Sequence, residues 1–335
     1  MIEFRIGEKK EVLGPSESYH TTPNACYRDT AKEKVNEILT QMKEGIPWGQ
    51  AVKKAFAERN PWLSAIVTHP SRIKFLKNKP PAKHERILDI GAGWGQYSLP
   101  LAKTNKVCSL EPTPERMSFI LAAAKQEKIE NNMCFLGADY MDIGFDSQFD
   151  LILCIGVLEW VGVFRNETPP TQSQQRFLEK TRSELATGGR LLIGIENRLG
   201  LKYLLGNRDD HTGKAGISCY HQALAQRLFE EETGEQLRCL TYSMEEYRAM
   251  LLGAGFTDIA FHVAFPDYKL PQVILPANGC DMVNQFFMSG QFIEEHDGCD
   301  GQKLPQQEKL QSHYVSLAQI GIAQYFAPSF FIECS

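Results

Sequence analysis

Residues 86–102 read RILDIGAGWGQYSLPLA, and no other stretch constrains the chain as strongly. An apolar run closes on Asp89, glycines follow at 91, 93 and 95, and the composition turns helical from Gln96 to Lys103. That order predicts a buried strand, a tight turn and a helix start. Glycine is needed where the backbone turns sharply and a ligand must approach it with no Cβ in the way. Dinucleotide-binding loops use the same geometry. Their G-x-G-x-x-G pattern, however, has its third glycine where this chain has Gln96.

Beyond the turn the chain keeps a strand–helix rhythm. Lys106 to Leu110 is an apolar run closed by Glu111, and Pro114 to Glu127 has a first-turn proline with Met117, Ile120 and Leu121 on one helical face. Met133 to Gly137 predicts a third strand leading to Asp139 and Tyr140, and Asp150 to Ile155 a fourth, apolar on both faces. A helix over Glu179 to Leu185, stopped at Gly188-Gly189, leads to a fifth strand from Arg190 to Ile195. Ser243 to Leu252 predicts a helix with Ser243 and Glu246 as a capping box. Thr257 to Phe265 and Ser329 to Cys334 predict the sixth and seventh strands. The alternation implies a doubly wound, mostly parallel α/β sheet of seven strands.

Residues 1 to about 26 read as an irregular arm, with helical spacing from Arg28 onward, so residues 1–84 are expected to form a helical N-terminal extension or lid. Residues 85–265 are then the core, and 266–335 carry a long insertion and a terminal strand that completes the sheet.

Hydrophobic residues make up 43% of the 335, enough for a sizeable core. A net charge of −5 and a pI near 6.0 give no general electrostatic footprint for nucleic acid or an anionic membrane. No apolar run reaches the length of a membrane span. The nine cysteines are scattered, odd in number and without a C-x-x-C pair, as reduced intracellular cysteines are. With nothing like a signal peptide at the N-terminus, a soluble cytoplasmic protein is expected. Cys280, His296 and Cys299 were the grouping to weigh as a metal site, but their spacing fits no structural zinc pattern and no metal is expected.

Taken in order, LDIGAGWG at 88–95, Glu111, Asp139 and FDLILCIGVLEWV at 149–161 resemble the class I S-adenosylmethionine-dependent methyltransferases. The resemblance covers about residues 85–265 plus the terminal strand, and implies a Rossmann-like methyltransferase fold. It implies S-adenosylmethionine as cofactor and S-adenosylhomocysteine as product. Gly91, Gly93 and Gly95 would lie under the methionine part, Glu111 would hold the ribose, and Asp139 and Tyr140 would flank the adenine. Asp89, Cys154 and Trp160 complete the implied cofactor set. Asp89 orients the loop, touches the cofactor's amino group or caps the strand end. Trp160 is a pocket wall or a core residue, and stands where many relatives have histidine. A narrower resemblance comes from residues 188–213, 240–256 and 265–271, which look like methyltransferase domains of bacterial cell-surface polysaccharide and specialised-metabolite biosynthesis.

Methyl transfer from a sulfonium is an in-line displacement, so orientation and exclusion of water supply most of the rate. A base is needed only where the acceptor carries a proton. His211, in the sequence Asp209-Asp210-His211-Thr212-Gly213, is the histidine best set for that role, with Asp210 to orient its imidazole. The competing reading is a histidine that only holds its loop. Arg198, Lys202, Tyr203 and Tyr242 are the candidate substrate contacts.

The expected activity is methylation of an oxygen, hydroxyl or carboxylate, on a small-molecule, glycan-intermediate or peptide-like acceptor. Nucleic acid is not expected as a partner, because Cys154-Ile155-Gly156-Val157 replaces the Asn/Asp-Pro-Pro-aromatic loop used on flipped bases. A homodimer, or a fusion or complex with a biosynthetic partner, is the expected assembly. An NAD-dependent oxidoreductase loses on Gln96 and the later motifs. A catalytically silent scaffold built on the same fold is the alternative from another class.

Overall fold

The computed structural model of the chain describes residues 1–21, 26–145, 149–165, 168–277, 281–291, 293 and 307–335. Cys280, His296 and Cys299 lie outside them. The chain forms two compact units, residues 1–157 with 180–192, and residues 158–179 with 193–335.

The first unit begins with strands and not with an irregular arm. β1 (Ile2–Ile6) and β2 (Lys9–Leu13) form an antiparallel hairpin that buries Phe4 and Leu13, and β3 (Ser18–His20) follows. These strands are at most five residues long and put Lys, Glu and Arg between their apolar residues, so their period-2 pattern is too brief to stand out. Helices α1 (Lys32–Lys43), α2 (Trp48–Phe56), α3 (Pro61–Thr68) and α4 (Lys74–Asn78) come next. Val35, Ile38 and Met42 form the buried face of α1, as the helical spacing predicts. His69, extended ahead of Pro70, separates α3 from α4.

The chain continues through β4 (Arg86–Ile90), α5 (Ser98–Leu101), β5 (Lys106–Leu110), α6 (Pro114–Glu127), β6 (Met133–Gly137), β7 (Ile143–Phe145) and β8 (Phe149–Ile155). β4 pairs in parallel with β5 on one side and β8 on the other, and β6 lies parallel to both β5 and β3. Every residue of β6 and all of β4 except Arg86 are buried, as parallel strands covered on both faces require. β7 joins the hairpin instead, in a small antiparallel sheet ordered β2-β1-β7.

α7 (Pro170–Glu184) and β9 (Leu185–Glu196) each contribute residues to both units. In the first unit the strand order is β9-β8-β4-β5-β6-β3. α7 ends at Glu184, so Gly188 and Gly189 do not stop a helix but lie inside β9. A Cβ on Gly189 would stand 2.7 Å from the Phe149 carbonyl oxygen, so close passage of the neighbouring backbone, not helix termination, requires glycine there.

The second unit adds α8 (Leu201–Leu204), α9 (Gln222–Thr233), α10 (Met244–Gly253), β10 (Ile259–Phe265), β11 (Val273–Pro276), α11 (Met282–Met288), α12 (Gln307–Gln319) and β12 (Ser329–Cys334). Its strands are ordered β11-β10-β12-β9, with β10 antiparallel to both neighbours. The Ser243–Glu246 capping box forms as expected. α9 escaped the periodicity reading because only Ala225 is fully buried in it; Leu228 and Phe229 pack partly buried against Ile217, Leu237 and Leu240. The seven expected strands are all present as β4, β5, β6, β8, β9, β10 and β12, and the sheet gains β3 and β11. No helix among the described residues is long and apolar enough to cross a membrane.

Glu184 ties the end of α7 to the first unit. Its Oε2 accepts the buried Tyr140 hydroxyl at 2.6 Å, its Oε1 accepts the Phe145 N–H at 3.1 Å, and Lys180 pairs with it. Removing such a partner leaves buried donors unsatisfied, at about 1–3 kcal/mol per orphaned group. Glu184→Ala is therefore expected to lower the unfolding free energy in urea titrations by at least that amount. Unfolding curves that superimpose on the wild type would rule this network out as a source of stability.

Candidate active site

At the C-terminal end of β4 the chain turns through Gly91, Gly93 and Gly95, with φ of +65°, +59° and +76°. Those angles favour glycine, and a Cβ on Gly91 would stand 2.5 Å from the Val157 side chain. Glu111, just past β5, ties this loop down: Oε2 accepts the Gly93 N–H at 2.9 Å and Oε1 accepts the Thr113 N–H at 3.0 Å. Each oxygen keeps a second acceptor position. Arg116 stands 3.9 Å from Glu111, pairs with Asp29 and lies over the Trp94 ring. Gln96, which breaks the dinucleotide pattern, accepts the Trp94 N–H at 3.0 Å and so shapes the same turn.

Asp89 is only 2% exposed, and its Oδ2 accepts the Ser98 hydroxyl at 2.6 Å, with Ser109 donating in turn to Ser98. Of the three roles open to it, this contact is the structural one, since it joins the strand end to the start of α5. Burial pushes its carboxyl up to about 7, against the lowering effect of the Ser98 bonds. Asp139 caps the short 3-10 turn after β6, accepting the Met141 N–H at 2.9 Å. Tyr140 turns inward, with its hydroxyl on Glu184 and the Lys180 ammonium 3.9 Å from its ring centroid. Cys154 is buried within β8.

The second unit holds a separate cluster of charge. Glu159 follows the Leu158 that opens that unit, Glu196 ends β9, and both are nearly inaccessible, at 1% and 2%. His211 stands between them, its Nε2 3.6 Å from Glu159 Oε1 and 3.6 Å from Glu196 Oε2. Trp160 packs edge-on against the imidazole, with centroids 5.5 Å apart, and stacks on Phe164. A tight turn presents the histidine. Asp209 Oδ1 accepts the N–H groups of His211 and Thr212 at 3.0 and 2.8 Å and the Thr212 hydroxyl at 3.0 Å, while Gly213 takes a left-handed φ of +67°.

Asp210 does not orient the imidazole. It pairs instead with Lys202 at 3.2 Å and Lys269 at 3.1 Å, and the carboxylate beside His211 Nδ1 is that of Asp209, at 3.9 Å. Successive residues of a tight turn project to different sides, so adjacency in sequence with His211 did not bring their side chains together. Lys269 also approaches Glu196 Oε1 at 2.6 Å. Electrostatics follow this geometry. Burial opposes a charged His211, but Glu196 and Glu159 outweigh it and raise the imidazole to about 9. Burial raises Glu159, whereas Lys269 and His211 hold Glu196 below its ordinary range despite burial. Asp210 is held low by Lys269 and Lys202, again against burial.

The four candidate substrate contacts separate. Lys202 and Tyr203 belong to the cluster: Lys202 pairs with Asp210, and Tyr203 is buried with a hydroxyl that finds no hydrogen-bond partner among the described residues. Arg198 grips Glu246 through two nitrogens, at 2.7 and 2.9 Å, and Tyr242 donates to Gln174 at 2.6 Å. These last two line a cavity with Asp209, Tyr220 and Cys239. Glu159, Glu196 and Lys269 were not singled out from sequence as site residues. Glu196 carried a legible signal, an acid closing an apolar strand as Glu111 does, while Lys269 carried none.

Residues 88–193 match the family model described as a methyltransferase domain. This stretch is a methyltransferase domain. Among curated proteins none matches the chain. Solved structures similar to it include an S-adenosylmethionine-dependent methyltransferase from Thermotoga maritima, 16% identical over 68% of this chain and 93% of that one, with a TM-score of 0.41. Phosphoethanolamine N-methyltransferase 2 of Haemonchus contortus, in complex with S-adenosyl-L-methionine, is 16% identical over 80% and 52%, with a TM-score of 0.43. An O-methyltransferase family 2 protein from Planctomyces limnophilus, in complex with apigenin, is 21% identical over 73% and 62%, with a TM-score of 0.38. The methyl donor implied is S-adenosylmethionine, and the residues present fit it: a loop of glycines at left-handed angles, with a Cβ on Gly91 barred by Val157, and a Glu111 carboxylate with acceptor positions to spare.

Asp89 gives the methyltransferase domain a pH signature. Its folded value of about 7 exceeds the ordinary 3.8, so the folded state binds the proton more tightly than the unfolded state. The resulting stability is complete below about 3.8 and disappears as pH rises to about 7. Roughly three pH units correspond to about 4 kcal/mol. Asp89→Asn keeps the acceptor for Ser98 and removes the titration. Wild-type stability relative to Asp89→Asn, from denaturant unfolding, should therefore fall across this window, and a flat difference would refute the assignment.

Proposed function

We propose that the chain is an S-adenosylmethionine-dependent methyltransferase acting on an oxygen of a small-molecule, glycan-intermediate or peptide-like acceptor, and that the His211 cluster handles the acceptor. The observation that carries this reading is the presence, in a chain with a methyltransferase domain over residues 88–193, of a buried imidazole set between two carboxylates. Methyl transfer to a carboxylate or a free amine needs no such arrangement. Transfer to a hydroxyl does, because a proton must leave as the carbon–oxygen bond forms, and an imidazole raised to about 9 takes it in the neutral form that grows as pH approaches that value. The S-adenosylmethionine sulfonium supplies the methyl group.

The roles of individual residues follow from the contacts described. Gly91, Gly93 and Gly95 give the donor backbone to lie against, and Glu111 offers its remaining acceptor positions to the ribose. Asp209 fixes the turn that carries His211, and Trp160 packs beside it. Lys202, Lys269 and Asp210 form the charged wall next to Glu196, with Tyr203 as a hydroxyl free to meet the acceptor. The narrower resemblance of residues 188–213, 240–256 and 265–271 is to methyltransferase domains of cell-surface polysaccharide and specialised-metabolite biosynthesis, which names a subgroup and not a substrate.

Calorimetry should detect S-adenosylhomocysteine binding that is lost in Glu111→Ala, with no binding of NAD; NAD binding alone would sink the reading. His211→Ala is expected to lower turnover by about a hundredfold or more while the affinity for S-adenosylhomocysteine stays within a factor of about two. A variant with normal turnover but weakened folding would assign His211 to its loop and not to the reaction.

A further inference from the structure

We propose that Glu159, Glu196 and His211 are the three protein ligands of a divalent first-row transition-metal ion, with a coordination position left open. Its use in methyl transfer rests on the reading of this cluster as the acceptor site; its binding does not. Among the described residues this is the grouping of His, Cys, Asp and Glu whose ligand atoms, one per residue, all lie within 4.8 Å of one another.

The spacing itself points to a shared ion. At 3.6 Å from each glutamate oxygen, Nε2 is too far for a direct hydrogen bond. Ligands held at about 2.0–2.2 Å from a metal in near-tetrahedral geometry stand about 3.4 Å apart, which is close to the 3.6 Å from Nε2 to each oxygen. Each carboxylate also has an unsatisfied oxygen. Glu159 Oε2 and Glu196 Oε2 are buried and accept no hydrogen bond among the described residues, a costly state for a carboxylate with nothing else to coordinate.

Charge supports the same conclusion. The carboxylates of Glu159, Glu196, Asp209 and Asp210 face the ammonium groups of Lys202 and Lys269. Metal binding displaces the imidazole proton, and the four carboxylates and two ammonium groups then leave two negative charges, which a divalent cation cancels. The surroundings match those of metal-bound histidines and carboxylates. Asp209 stands beside the far nitrogen, Nδ1, and Lys269 holds Glu196 Oε1, leaving Oε2 for the ion. An imidazole with two carboxylates suits Zn²⁺ or Mn²⁺, and three protein ligands with an open position describe a site built for a substrate oxygen and not a closed structural site.

The test is titration of the full chain, stripped of metal with a chelator, with Co²⁺ and then Zn²⁺. Co²⁺ should give a visible absorption band that saturates at one ion per chain and is displaced by Zn²⁺. Glu159→Gln, which keeps size and polarity, should weaken Co²⁺ binding about a hundredfold, and His211→Ala should abolish it. The exposed Glu245→Gln should change nothing. If His211→Ala fails to fold, Glu159→Gln carries the decision. Absence of binding by the wild type, or binding unchanged in Glu159→Gln, overturns the proposal. Methyl transfer by a chain that binds no metal would end this proposal and leave the proposed function standing. Metal binding by a chain that does not bind S-adenosylhomocysteine would do the reverse.

Discussion

Two carboxylates cannot remain ionised in an apolar interior unless positive charge is brought to them, and this requirement organises the second unit. Glu159 and Glu196 are buried almost completely, and what surrounds them is drawn from distant parts of the sequence to answer their charge. His211 arrives on a turn held by Asp209, Lys269 from the segment after β10, and Lys202 from α8. The lysines in turn carry Asp210 into the group, so its carboxylate is consumed in charge balance and is unavailable to the histidine beside it in sequence. A network assembled this way is an expensive means of holding a fold, since apolar residues of similar size would serve stability at least as well. The chemistry proposed above would supply a reason for it.

The first unit solves a different problem with less charge. Its central strand, β4, is hydrogen-bonded on both sides, so the chain must leave the sheet at Ile90 within a few residues. Glycines with left-handed angles allow the turn, and the Glu111 carboxylate fastens it through the Gly93 N–H. The same acid that is suited to a ribose therefore also shapes the loop. Asp89, buried and bonded to Ser98, takes the structural share of that work.

Most of the sheet was legible because its strands there are near-continuous apolar runs: β4, β5, β6, β8 and β12 lie where those runs fall, and α6 lies where its helical spacing puts it. What was missed is short or depends on neighbours. β3 and the β1–β2 hairpin gain their identity from the strands they pair with, and α9 buries too little to show a stripe. In the candidate site, the glycine turn and the acid that fastens it follow from spacing, but what Asp210 and Arg198 meet does not. Their partners, Lys202 with Lys269 and Glu246, lie up to dozens of residues away, and nothing local indicates them.

By itself the sequence determined the order of elements, the glycine turn and the class of cofactor it suits, because those depend on periodicity and on residues a few positions apart. It also marked His211 as a histidine in an unusual setting. Only the tertiary structure decided what that histidine meets. Glu159 and Lys269 are separated from it by more than fifty residues and Glu196 by fifteen, and burial, which makes their charges matter, is a property of the folded chain alone.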